Sequence, residues 1–516
     1  MLSIPDSSHP YRRWAWPLAV APTVFVVAFA LVPTVVVARM TGSLHGITTV
    51  LSNPSVREAL WFSLWQSALS ALTCLAISLP ITWVLARFDF RGQRLMRALV
   101  TVPFLLPTVV VGVAFLALFP DRLDYTPVAI IVAHAYFNVA VIVRIVGARW
   151  ESISTSFVPA AQTLGASPFR AATTITLAIL RRSIVLATCL VALFSFTSFG
   201  IVRMLGGPSR STIETEIYYR AVLLGDLHGA VALAVLQVVF LVVIGALFQR
   251  GRSNTPVRAN KIEVERRVPA TRRQRGTVAL IVVLTAGWII APWWATVARS
   301  IGGWEFLGAP EFRNALGISL RTAFVCAAVA TMLGASSALS SAYGGRWARA
   351  FSTLTALPLT ISAVVVGLGF LVTFDEGVFD LRSSWIITPL AHSLIAMPLV
   401  AMVVSQAVSA IPRDLSASAM TLGASRWRAW STIDGPLLRR PIASACALAA
   451  AVSLGEFGAS SFLSRRNSTT LPLLISQELS RPGDLRAQHA YVVATLFIAV
   501  SIVVIVVVEF TQGRRR

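Results

Sequence analysis

Long apolar runs, nearly free of charge, alternate with short polar intervals along almost the whole chain. The runs cover 14–38, 59–85, 98–119, 126–147, 183–203 and 229–248, then 277–298, 316–342, 351–374, 384–405, 441–463 and 488–510. Most hold about 20 residues or more, enough for a helix to cross a hydrocarbon core of about 30 Å. Lipid offers the backbone no hydrogen bonds, so a spanning chain is helical or a closed barrel. A barrel would show alternating segments of about ten residues, and none is present. The pattern therefore predicts an all-α integral membrane protein with about 12 transmembrane helices. The first run is longer than the roughly 7–15 apolar residues of a signal peptide and has no small-residue cleavage pattern after it, so it reads as a retained span.

The second set of spans repeats the first. Thr163-Leu164-Gly165-Ala166-Ser167 returns as Thr421-Leu422-Gly423-Ala424-Ser425, with Ala161 and Ala419 four residues before each Gly and Arg170 and Arg428 five after it. Arg181-Arg182 and Arg439-Arg440 keep the same offset of 258. Pro103 and Gly112 match Pro358 and Gly367 at 255, and Ser63-Leu64 matches Ser319-Leu320 at 256. This divides the chain into a first six-helix repeat at 1–250, a basic linker at 251–276 and a second repeat at 277–516. Six spans bring the chain back to the side it started from, so the repeats run parallel.

Composition adds direction. The chain is 56% hydrophobic and only 13% charged, with a mean hydropathy of +0.74, too apolar for a soluble protein. Its net charge of +22 would suit nucleic acid, but the placement of the charge argues otherwise. With the N-terminus in the cytoplasm, 30 of the 44 Lys and Arg and 8 of the 22 acids fall inside. The outer face is then neutral, which is the positive-inside pattern of a plasma-membrane protein with both termini cytoplasmic. Both copies of the repeated motif fall on the inner side. The four cysteines lie singly in apolar runs, without metal or redox spacing. The only lysine, Lys261, is in the linker, and no Gly-rich phosphate loop is present, so energy must come from a partner or an ion gradient.

The repeated block predicts a compact knob. Gly165 and Gly423 suit the left-handed end of one short helix, Ser167 and Ser425 cap the next, and Ala160, Ala161 and Ala419 permit close approach. Arg170 and Arg428 line it. The block resembles the conserved cytoplasmic Glu-Ala-Ala…Gly loop of permease subunits of ATP-binding-cassette importers, and the resemblance extends over both halves. It implies the type I importer permease fold, with Ala160, Ala161, Leu164, Gly165, Ser167, Arg170, Ala419, Leu422, Gly423, Ser425 and Arg428 coupling to two ATP-binding subunits. It also implies an extracytoplasmic substrate-binding protein, and no cofactor. The chain departs from the family where Pro159 and Ala417 stand at the Glu position. The family's Ile-x-Leu-Pro pattern has become Ile175-Thr176-Leu177-Ala178 and Ile433-Asp434-Gly435-Pro436.

Fused two-half members of this family are similar to the permeases for ferric iron and thiamine. Gly206-Gly207-Pro208, Thr212-Ile213-Glu214 and Gln237 resemble the thiamine branch; Ser453-Leu454-Gly455-Glu456-Phe457-Gly458-Ala459 and Thr470-Leu471-Pro472 resemble the ferric-iron branch. An ion-driven secondary transporter is the rival, but it would be expected to carry ionisable groups in its spans, and these have almost none besides Glu456. A membrane-bound enzyme is a second rival, without a clustered Asp/His/Ser set to support it.

Glu456, its repeat partner Ser198, and the adjacent Phe457 and Phe199 are candidates for a substrate path or gate, against the plainer reading of a hydrated carboxylate at the outer interface. His134 and His392, 258 apart, suit a metal pair or, more simply, hydrogen bonds between helices; Asn138 suits the latter. Glu214, Glu216, Asp226, Asp375, Glu376, Asp380 and Asp484 are outer acids, available either to a binding protein or to solvent. The basic linker reads as a tether near anionic lipid.

Overall fold

A computed structural model describes residues 11, 15, 17–40, 50–154, 156–207, 210–250, 266–375, 381, 383–465 and 468–513. The tether reading of the linker falls largely on residues outside these, including Lys261, as do Glu376 and Asp380. Between turns and short loops the described residues form helices, with one isolated bridge between Phe88 and Arg267.

The helices occur in two matching series. The first is α1 (Pro17–Met40), α2 (Pro54–Arg87), α3 (Gln93–Leu105), α4 (Thr108–Leu118), α5 (Pro127–Glu151), α6 (Phe157–Thr163), α7 (Phe169–Phe196), α8 (Gly200–Leu205), α9 (Ile213–Tyr218) and α10 (Leu227–Arg250). The second is α11 (Arg272–Arg299), α12 (Pro310–Tyr343), α13 (Gly345–Leu354), α14 (Ala363–Thr373), α15 (Ile387–Ser409), α16 (Arg413–Thr421), α17 (Arg426–Gly455), α18 (Gly458–Leu463), α19 (Leu471–Leu479) and α20 (Asp484–Gly513). Element by element the second series repeats the first, and α2 and α12 are both 34 residues long.

Ten helices among the described residues are long and apolar enough to span, or twelve if two bent pairs each count as one. The runs at 98–119 and 351–374, expected to be continuous, are these pairs: α3 meets α4 at 105°, and the segment Gly345–Thr360 meets α14 at 100°. Leu106 precedes Pro107 and is forced extended, which ends α3. In the second copy Ile361 and Ser362 are extended, and the Ser362 hydroxyl accepts from Val365 N–H at 3.2 Å to start α14. The runs at 183–203 and 441–463 also differ from expectation. Their helices begin some 14 residues earlier, at Phe169 and Arg426, because paired arginines interrupt hydrophobicity without interrupting a helix. They stop at Phe196 and Gly455, and α8 and α18 follow as separate short helices.

The chain forms two compact units that cut across the repeats. Unit one contains Met1–Asn53, Ile217–Arg252 and Gly308–Leu474; unit two contains Pro54–Glu216, Ser253–Leu307 and Ile475–Arg516. In unit one α12, α15 and α17 pack on one another, α14 packs on α18, and α1 lies against α14 and α10. In unit two α2, α5 and α7 form the equivalent trio, α4 packs on α8, and α11 joins α4 and α20. Each unit thus takes its kernel from one repeat and its flanking spans from the other.

Small residues set the close approaches. A Cβ on Gly112 would meet Met204 Cβ at 2.6 Å, and one on Gly367 would meet the Ala459 backbone at 2.8 Å. The glycines matched in sequence are therefore the points where α8 and α18 seat on α4 and α14. Outward-facing apolar side chains such as Leu72, Val185, Val283 and Phe324 are exposed on the spans, as hydrocarbon contact requires.

Candidate coupling site

The repeated block folds the same way in both copies. Ala166 N–H donates to Ala161 O and Gly165 N–H to Gln162 O, both at 3.0 Å; Ala424 to Ala419 and Gly423 to Met420 repeat the pair at 3.0 Å. This is the Schellman ending of α6 and of α16, and it needs a left-handed residue just past the helix. Gly165 has φ of 86° and Gly423 of 90°, with open space where a Cβ would stand, so the glycine is required by conformation alone. Ser167 Oγ then accepts from Arg170 N–H, and Ser425 Oγ from Arg428 N–H, each at 3.2 Å. One helix ends and the next begins within about three residues, and the chain turns sharply between them.

That geometry pushes apolar side chains outward. Leu164 and Leu422 are each 88% exposed, Phe169 is 79% and Trp427 66% exposed. Ala160 is exposed and Ala161 and Ala419 are half-buried, beside the exposed Arg170 and Arg428. A leucine and an aromatic at identical repeat positions, standing bare on polar knobs, are costly to leave in water and suit a partner's groove. Each knob also begins a long span: α7 has 28 residues and α17 has 30, so each reaches about 42–45 Å. Their far ends are the breaks at Ser198 and Glu456.

At those breaks the two copies differ. The Glu456 carboxylate is buried and accepts from Ala459 N–H at 2.8 Å, Ser460 N–H at 3.0 Å and Ser460 Oγ at 3.0 Å. His392 Nε2 lies 3.1 Å from it. Glu456 therefore caps α18 and ties it to α15, rather than lying hydrated at an interface. Phe457, Phe199 and Ser198 are also buried, and the Ser198 hydroxyl has no hydrogen-bond partner among the described residues.

Both histidines bridge helices within their own unit. His134 Nδ1 lies 3.1 Å from Gln66 Oε1 and 3.3 Å from Ser70 Oγ, while His392 Nδ1 lies 2.8 Å from Ser453 Oγ. No group of three metal-ligating side chains occurs among the described residues. Asn138 differs from expectation, since its amide donates to His134 O of its own helix at 3.0 Å.

The acids expected on the outer face divide. Asp375 and Asp484 are exposed, but Glu214 and Glu216 are buried, so neither offers a surface charge. Asp226 accepts from Gly229 N–H at 2.8 Å and Arg220 Nη1 at 2.9 Å, and so caps α10. The reason for the burial is an anchor not foreseen from sequence. Ser63 Oγ accepts from Ile213 N–H at 2.9 Å and draws the start of α9 into the bundle; Ser319 Oγ does the same to Leu471 N–H at 2.8 Å for α19. The repeat of Ser63 and Ser319 was visible, but nothing local pointed to a backbone 150 residues away.

Comparison with known proteins agrees with this layout. The family model described as "Binding-protein-dependent transport system inner membrane component" matches residues 78–251 and again 330–514. The thiamine transport system permease protein of Escherichia coli K12 is 25% identical over 481 residues, 88% of each chain. That of Brucella suis is 24% identical over 484 residues, again 88% of each. The sulfate transport system permease protein CysT of Salmonella typhimurium is 30% identical over 171 residues, 31% of this chain and 62% of its own. With one family module in each half, the chain belongs to the binding-protein-dependent inner membrane components, the permeases of ATP-binding-cassette importers.

Proposed function

We propose that the chain carries thiamine inward across the plasma membrane, with both termini and both knobs in the cytoplasm. Two separate ATP-binding subunits hydrolyse the ATP, one docked on each knob, and a binding protein delivers the substrate outside. The observation that carries this reading is the pair of knobs, each with a bare Leu and aromatic and each continuous with a span ending at Ser198 or Glu456. ATP-driven closure of the docked subunits would displace the knobs, and α7 and α17 would transmit that displacement as rods to their far ends. With Pro159 and Ala417 where the family resemblance implies Glu, docking rests on shape, the apolar tips and the arginines beside them. The substrate is inferred from the similarity, over 88% of each chain, to the thiamine transport system permease protein of Escherichia coli K12.

Two measurements test it. Replacing Gly165 and Gly423 together by Val forces a β-branched residue into the left-handed region at a cost of about 1–2 kcal/mol each. Co-purification of the ATP-binding subunits and uptake into proteoliposomes should both fall; normal values of both would refute coupling through the knobs. For the substrate, the complex with its binding protein should take up labelled thiamine and not ferric iron, and the reverse would reassign it.

A further inference from the structure

The two knobs are alike at their tips and unlike at their roots. In the second copy α16 buries Ser416, whose Oγ donates to Asp434 Oδ2 at 2.9 Å. Asp434 is itself buried and closes the π-bulge Trp430–Asp434 in the first turns of α17. Beneath them lies Tyr11, fully buried, with its ring edge-on to Tyr343 at 5.3 Å and its hydroxyl beside Ser416 and Asp434. Burial pushes this phenol up to about 12, with Ser416 opposing and the Asp434 carboxylate adding to it. Such a bulge opens the helix ladder and redirects a side chain, and here it turns an acid inward against the coupling helix.

The first copy has the same bulge, at Ala172–Leu177, without the acid. Val158 and Thr176 occupy the positions of Ser416 and Asp434, Arg87 occupies that of Tyr343, and α6 buries no residue at all. Its surroundings are tied by partly hydrated charges instead. Glu151 at the end of α5 accepts from Arg97 and, at 3.2 Å, from Arg266 of the returning linker. A buried charge-assisted hydrogen bond holds its geometry far better than solvent-screened pairs of this kind.

We propose that Asp434 is a positioning residue that locks the second coupling helix to its span, through Ser416 and with Tyr11 packed beneath. The two coupling loops are then mechanically unequal: the second is a rigid lever and the first an adjustable contact. This rests on the coupling role of the knobs proposed above.

The test uses the full complex of permease, ATP-binding subunits and binding protein in proteoliposomes, and reads substrate transported per ATP hydrolysed. Asp434→Ala should lower that ratio by about tenfold, and Ser416→Ala by about threefold, as expected for loss of a buried hydrogen bond to a charge. Asp434→Asn keeps an acceptor oxygen for Ser416 without the charge and should fall between the wild type and Asp434→Ala, while Thr176→Ala in the first copy should stay within about twofold of the wild type. Should Asp434→Ala fail to fold, Ser416→Ala carries the test, since it removes a single hydroxyl. Unchanged ratios for Asp434→Ala and Ser416→Ala, or an equal loss for Thr176→Ala, would overturn the inequality. A wild-type chain that binds no ATP-binding subunit would instead refute the coupling role itself.

Discussion

At the scale of single residues, the exposed tips and the buried acids separate binding from folding. Leu164 and Leu422 touch almost nothing, so Leu164→Ser with Leu422→Ser should leave unfolding within about 0.5 kcal/mol of the wild type. The same double variant should lose most of its co-purified ATP-binding subunit; a chain that still captures it fully would show that the tips do not dock. Glu456 is the opposite case. Its carboxylate satisfies two amides, a hydroxyl and a histidine, so Glu456→Ala should cost about 3–5 kcal/mol and Glu456→Gln about 1–3 kcal/mol. Thermal unfolding in detergent measures both, and equal stability of Glu456→Ala and the wild type would remove the capping role. An isolated acid in an apolar run was conspicuous in the sequence, but its meaning depended on the amides that Gly458–Leu463 turns toward it.

At the scale of elements, turn chemistry was readable where it is local. Gly165 with Ser167, and Gly423 with Ser425, announce a helix end followed by a helix start, and both copies fold that way. The four broken runs were not readable as breaks, since hydropathy reports burial or lipid contact and not direction. Leu106-Pro107 carried a signal in retrospect, because the residue before a proline avoids the helical region. The anchors of α9 and α19 are long-range and carried none. Removing the hydroxyl in Ser63→Ala or Ser319→Ala leaves the amide of Ile213 or Leu471 without its acceptor, at about 1–3 kcal/mol each. Hydrogen exchange should quicken over 213–218 in the first variant and over 471–479 in the second, each leaving the other element unchanged. Exchange that quickens everywhere or nowhere would argue against local anchoring.

At the scale of the molecule, compact units and sequence repeats do not coincide. Unit one needs α1 and α10 from the first repeat, and unit two needs α11 and α20 from the second. Residues 1–250 or 277–516 expressed alone would leave apolar kernel faces uncovered and should be degraded. Co-expressed as two chains, they should accumulate together, with uptake within about tenfold of the intact chain, because the missing linker raises only the entropic cost of assembly. Stable accumulation of either half alone would contradict the interdependence of the kernels.

The class of the protein, its two-fold repetition and the shape of the knobs were all legible in the order of its amino acids. Hydropathy and local helix-end chemistry are properties of short stretches and act wherever the chain goes. Which spans bend, which acids are caps rather than charges on the surface, and why the knobs differ at their roots emerged with the packing of the helices. Some of those outcomes hang on distant partners, as Ser63 with Ile213, Ser319 with Leu471 and Tyr11 with Tyr343; others, at Glu456 and Asp434, hang on a turn or bulge that redirects a side chain. The same sequence position can therefore be a threonine in one half and a buried carboxylate in the other, with a common outline and a different mechanical task.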